Sequence, residues 1–114
     1  MEIKLYNIVA IVNEGYASYV IDSAKLKGAR GGTVIPANSS ASGEATKLYG
    51  LGVSPVKDIV LILVKEELVN PILEFLYDKL GSESDAMGIF FTLPVTHASE
   101  NLLRQYTNKK KEEF

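Results

Sequence analysis

The chain has 114 residues, which suits one domain with a modest core and is too short for two domains of ordinary size. Apolar residues make up 46% of it and charged residues 23%, a composition typical of folded globular domains and unlike that of disordered chains. The formal net charge of -2 provides no basic excess for nucleic acid, and the absence of cysteine excludes disulfides, thiolate catalysis and cysteine metal sites.

The first third of the chain predicts a strand, a helix and a short second strand. Apolar residues alternate over residues 3–12, which is the period of a strand, and no signal-peptide pattern occurs there. Asn13 is a candidate helix cap, and apolar residues at helical spacing follow it until Gly28, where we expect the helix to stop. The β-branched residues 33–35 then predict a short strand that Pro36 ends.

Residues 38–55 show no clean periodicity and are rich in small polar residues. Structureless connections of this length are uncommon inside a compact domain unless they are functional or mobile. We therefore expect this loop to carry function.

The second half of the chain predicts a strand, a helix and a further strand. Residues 58–64 form a nearly continuous apolar run, which indicates a central strand covered on both faces. An apolar helical stripe follows, and we expect this helix to begin near Glu67 because Pro71 is tolerable only in a first turn. After a loop at 81–87, residues 89–95 predict the fourth strand. No apolar run reaches the roughly 18 residues of a membrane span, so we expect a cytoplasmic protein with no membrane insertion.

The predicted order is βαββαβ, which indicates a single α+β domain over residues 1–114 with ferredoxin-like architecture. Such a domain has a four-stranded antiparallel sheet with two helices on one face, and residues 98–114 form a C-terminal tail that is partly helical or disordered. We expect the uncovered face to carry Ile8, Ala10 and Val12, with alternate residues of the third strand. An apolar patch of that size predicts oligomerisation through the sheet.

Three segments, residues 27–35, 55–64 and 88–95, together resemble the PII nitrogen-regulatory family, and the resemblance spans about residues 3 to 97. It implies a homotrimeric signal-transduction protein that binds ATP, ADP or AMP in the clefts between neighbouring subunits. The loop at 38–55 occupies the position of the family's T-loop, which implies contact with a target protein such as a transporter, an enzyme or a regulator.

The expected nucleotide site combines glycines, hydroxyls and backbone amides. Gly31 and Gly32 let a ligand approach the backbone, and the Thr33 hydroxyl can bond an adenine or ribose edge. The start of the loop offers N–H groups and hydroxyls to phosphate oxygens. The full expected set is Arg30, Gly31, Gly32, Thr33, Asn38, Ser39, Ser40, Met87 and Gly88. The family's phosphate-binding lysine has no counterpart in residues 81–88, which predicts a reduced or altered nucleotide site.

Two other functions remain open. One is a trimeric interaction or scaffold protein with a degenerate nucleotide site, which could take a metal or a small anion instead. The other is a small phosphatase-type enzyme on the same fold, which would need Arg30 and Asn38 to converge on a phosphate. The leading hypothesis is a protein that is not an enzyme, with no catalytic residue and no metal site, and the lone His97 is interpreted as a strand-end residue.

Overall fold

The computed structural model describes residues 3–39 and 55–107. These contain four strands and three helices, and the order βαββαβ predicted from the sequence is confirmed, with one further helix at the end. The elements are β1 Leu5–Asn13, α1 Ala17–Leu26, β2 Thr33–Asn38, β3 Val56–Lys65, α2 Glu66–Leu80, β4 Ile89–Pro94 and α3 Glu100–Thr107.

The strands form one antiparallel sheet in the order β2-β3-β1-β4. β1 and β3 occupy the centre, where Ile8 pairs with Ile62 and Ala10 with Val60. The apolar run at 58–64 is thus a central strand, as its sequence predicted. β2 and β4 lie at opposite edges of the sheet, which decides how the predicted site residues are distributed.

The core lies between one face of the sheet and helices α1 and α2. Both helices pack their apolar stripes on this face, which fits the apolar spacing seen in the sequence. The buried residues of this cluster include Ile8, Ala10, Val12, Val60, Ile62 and Val64 from the sheet and Val20, Ala24, Ile72 and Leu76 from the helices.

The prediction that Ile8, Ala10 and Val12 face outward is therefore wrong, since all three are fully buried beneath the helices. The opposite face carries the other alternate set, which includes Ile11, Ile59, Leu61, Ile89, Phe91 and Leu93. Both alternate sets of β1 are apolar, and a shift of one residue exchanges the two faces of a strand, so periodicity could not choose between them. An open apolar face exists, but with the opposite register.

Three local predictions, a helix cap, a strand end and the position of a proline in a helix, differ from the structure. Asn13 does not cap α1, because it ends β1 and its side chain accepts a hydrogen bond from Lys57 Nζ at 2.8 Å. Pro36 does not end β2, since β2 is an edge strand, where a residue without an N–H is tolerated. α2 begins at Glu66, close to the prediction, but Pro71 lies in its second turn on the exposed side rather than in the first.

Most of the loop at 38–55 and the end of the tail lie outside the described residues. The described part of the tail forms α3, and Ser39 N–H donates to the Pro55 carbonyl at the base of the loop. Across residues 3–39 and 55–107, no helix combines the length and apolar character that crossing a membrane requires.

Candidate functional site

A cavity of about 360 Å³ lies on the open face of the sheet, between the turn that precedes β2, strand β3 and helix α3. Leucine side chains and polar residues together line it, a composition typical of small-molecule sites. The lining residues are Asn7, Arg30, Gly31, Gly32, Thr33, Leu61, Leu63, Leu102, Gln105 and Tyr106.

The cavity forms because β2 begins at Thr33, which pairs with Leu61, while β3 continues to Lys65. Leu63 therefore lies beyond the paired part of β2, and its carbonyl accepts a hydrogen bond from the Tyr106 hydroxyl at 3.0 Å. Gly32 packs closely against the sheet: a Cβ at this position would lie only 3.2 Å from the Leu61 carbonyl oxygen. A side chain at this position would have to displace its neighbours.

Arg30 ties the turn before β2 to α3. Its Nη1 donates to the Gln105 carbonyl at 2.6 Å, and its guanidinium lies 5.3 Å from the centre of the Tyr106 ring. Gln105 lies in the last turn of α3, where a cation is favoured by the helix dipole. Burial raises the pKa of the Tyr106 phenol above its ordinary value, and the charge of Arg30 opposes this rise.

The structure brings together four of the predicted site residues, namely Arg30, Gly31, Gly32 and Thr33, in this one cavity. Asn38 lies at the far end of β2, roughly 17 Å along the strand from Thr33. Ser39 follows it, and Ser40 lies outside the described residues.

Met87 and Gly88 precede β4 at the opposite edge of the sheet from β2. Met87 has a φ of 49°, and its N–H donates to the Ser84 carbonyl at 3.0 Å. Gly88 is buried, and its N–H donates to the Leu80 carbonyl at 2.9 Å. Within one protomer the two edges of the sheet do not meet, so these two residues are not part of the cavity.

Sequence reasoning missed Asn7, Gln105 and Tyr106. Asn7 did leave a signal, because it interrupts the apolar set formed by Leu5, Val9 and Ile11 on β1. Gln105 and Tyr106 could not be found in this way, because no sequence pattern within residues 98–107 indicates that α3 packs on the sheet.

Neither Arg30 with Asn38 nor His97 with Ser99 forms a catalytic pair within the described residues. Arg30 lies before the start of β2 and Asn38 at its end, so the length of the strand keeps them from converging on one phosphate within a protomer. The His97 ring contacts the Thr96 hydroxyl at 3.2 Å, while the Ser99 hydroxyl donates to Asn101. No group of three or more His, Asp or Glu side chains is placed to hold a metal ion within the described part of the chain.

The sheet order and the helices on one face define a ferredoxin-like α+β domain, and solved structures of PII-like proteins share this fold. A PII-like signalling protein from Thermus thermophilus has a TM-score of 0.61 at 19% identity, over 82% of this chain and 87% of that one. CPII from Thiomonas intermedia, a nitrogen-regulatory PII-like protein bound to ADP, AMP and bicarbonate, has a TM-score of 0.56 at 19% identity, over 84% and 92%.

CutA from Synechococcus elongatus, in complex with a Bis-Tris molecule, is similar as well, with a TM-score of 0.64 at 12% identity over 90% of each chain. No family model matches the sequence, and no curated protein matches it significantly. The similarity confirms the predicted PII-like resemblance at the level of the fold.

Proposed function

We propose that this protein is a divergent PII-like regulator, cytoplasmic and homotrimeric, that binds an adenine nucleotide and controls a target protein through the loop at 38–55. It is not an enzyme in this proposal. The observation that carries the proposal is the cavity in which Arg30, Gly31, Gly32 and Thr33 meet, on a fold shared with a protein that binds ADP and AMP.

The chemistry of the cavity fits an adenine nucleotide. Its volume of about 360 Å³ lies within the range of small-molecule sites. Leu61 and Leu63 offer an apolar surface to the base, and the Thr33 hydroxyl can donate to or accept from a base or ribose edge. Arg30 uses one N–H for Gln105, and a guanidinium has further N–H groups with which to hold a phosphate oxygen.

A trimer would complete the site. The open sheet face exposes large apolar side chains, including Phe91 at 43% and Leu93 at 50%, which favours burial against other copies. The resemblance implies a ring of three protomers with nucleotide sites between neighbours. In such a ring we place the β2 edge of one copy against the β4 edge of the next, so that Met87 and Gly88 of one protomer would lie beside residues 30–33 of its neighbour.

Signalling would work by a shift in population between two loop states. β2 runs directly from the cavity at Thr33 to Asn38, and Ser39 and Ser40 lead into the loop. A nucleotide that binds one loop state more tightly than the other changes the fraction of protomers able to contact the target.

The test is calorimetric titration with ATP, ADP, AMP and cyclic AMP, carried out on the wild type, Thr33→Val and the control Thr96→Val. Thr96 is exposed and does not line the cavity. We expect one nucleotide to bind the wild type and the control alike and to bind Thr33→Val more weakly. We also expect light scattering to give a mass three times that of the 12.5 kDa chain. A confirmed trimer that binds none of the four nucleotides would contradict nucleotide sensing.

A trimeric interaction protein with an altered site is the second candidate. The observation that favours it is the engagement of Arg30 with α3, because this arginine is then partly occupied by the chain itself. The same titration separates the two candidates, since the interaction protein would form a trimer without binding nucleotide.

A further inference from the structure

Asn7 is a polar side chain at a position of β1 where its neighbours on the same face are apolar. On the open face of the sheet it lies opposite Leu63 of β3 and Leu93 of β4. Leucine side chains offer no hydrogen bond, so the amide of Asn7 finds no partner directly across either strand.

The Oδ1 atom of Asn7 is buried and accepts no hydrogen bond from any of residues 3–39 and 55–107. A buried amide oxygen without a partner lowers stability, and such groups are few in native proteins. An apolar side chain of similar size would fill the same place at no such cost. The presence of an amide here therefore calls for a partner that the described chain does not supply.

Asn7 lines the same cavity as Thr33 and Leu63, which places its amide beside the proposed base-binding surface. An asparagine amide matches the edge of adenine, because its oxygen accepts from the 6-amino group while its nitrogen donates to a neighbouring ring nitrogen. Oδ1 is buried in the structure, so a rotation about the terminal bond of the side chain has to turn this oxygen toward the ligand.

We infer that Asn7 is the residue that recognises the 6-amino group of the bound adenine, an inference that rests on the proposed function. The amino group donates to Oδ1 and satisfies the acceptor that the chain leaves without a partner. A purine that lacks this amino group leaves the oxygen unsatisfied and binds more weakly. Asn7 thus sets the specificity for adenine, while Leu61 and Leu63 contact the ring of any purine.

The experiment compares AMP with purine riboside 5′-monophosphate, which lacks only the 6-amino group. Both are titrated into the wild type, Asn7→Leu and the control Asn70→Leu, whose asparagine is exposed on α2. For the wild type and the control, we expect AMP to bind roughly tenfold or more tightly than the analogue. For Asn7→Leu, we expect the two ligands to bind equally, and the melting temperature of the protein without ligand to rise.

The outcomes separate this inference from the proposed function. If the wild type binds AMP and the analogue equally, or Asn7→Leu retains the preference for AMP, the role of Asn7 is overturned and nucleotide binding stands. A lower melting temperature or a smaller assembly for Asn7→Leu also overturns it, because Asn7 is then a structural or interface residue. If the wild type binds none of ATP, ADP, AMP and cyclic AMP, both proposals fall together. Where ATP or ADP binds instead of AMP, the same comparison uses that nucleotide and its analogue without the 6-amino group.

Discussion

Replacing Arg30 with methionine should weaken the docking of helix α3 on the sheet. The substitution removes the charged hydrogen bond to the Gln105 carbonyl at 2.6 Å and the contact with the Tyr106 ring at 5.3 Å. Because Arg30 is exposed, the two interactions together contribute about 1 to 2 kcal/mol, near the low end for charged hydrogen bonds and for cation–π pairs. A helix of 8 residues does not persist by itself, and the hydrogen bond from the Tyr106 hydroxyl to the Leu63 carbonyl remains, so α3 should detach and unfold more often without being lost.

Hydrogen exchange measured by mass spectrometry on peptides that cover α3 is the direct assay. The population of the open state should rise roughly 5- to 30-fold, and the protection of α3 amides should fall by the same factor. Lys25→Met is the matched control, because it removes one positive charge from an exposed position on α1. Equal protection of α3 in Arg30→Met and in this control would refute the proposed tether.

Three further results follow from burial and packing. The pKa of the Tyr106 phenol should lie above 10.0, so the contribution of its docking to stability is complete below pH 10.0 and is lost as the pH rises through that raised pKa. The absorbance difference between wild type and Tyr106→Phe measures this titration, and a midpoint at or below 10.0 would contradict the prediction. Ile62→Ala should lower the free energy of unfolding by about 2 to 5 kcal/mol, whereas Leu26→Ala, at a position 76% exposed, should change it little. Urea titrations in which both variants lose the same free energy of unfolding would be inconsistent with the described core. Gly88→Ala should lower the free energy of unfolding by about 1 to 3 kcal/mol in the same titrations, because the new Cβ would clash with the Leu80 carbonyl oxygen. An unchanged urea midpoint would contradict this clash and would mean that the loop before β4 shifts to make room.

The fold could be predicted because the chain carries strong local patterns. The apolar run at 58–64 indicated a central strand, and β3 is one. The helical stripe before Gly81 likewise predicted α2. Periodicity did not decide which face of β1 meets the helices, because that depends on its pairing with β3 and on helix packing rather than on either alternate set alone.

The candidate site could be predicted only where its residues are neighbours in sequence. Residues 30–33 are consecutive in the chain, so a single motif identified all of them. Gln105 is held at the cavity by the hydrogen bond from Arg30, which lies 75 residues earlier in the chain. Tyr106 is held there by its hydrogen bond to the Leu63 carbonyl. Such contacts depend on where the tail crosses the sheet, which no local pattern encodes.

The most direct test of the account is to locate the bound nucleotide by NMR, with ADP titrated into the ¹⁵N-labelled protein. We predict saturable chemical-shift changes at residues 30–33 and at Leu61 and Leu63, with further changes at Met87 and Gly88 supplied by a neighbouring protomer. Saturable changes confined to other parts of the sheet or helices, or none at millimolar ADP, would contradict the claim that this cavity is a nucleotide site.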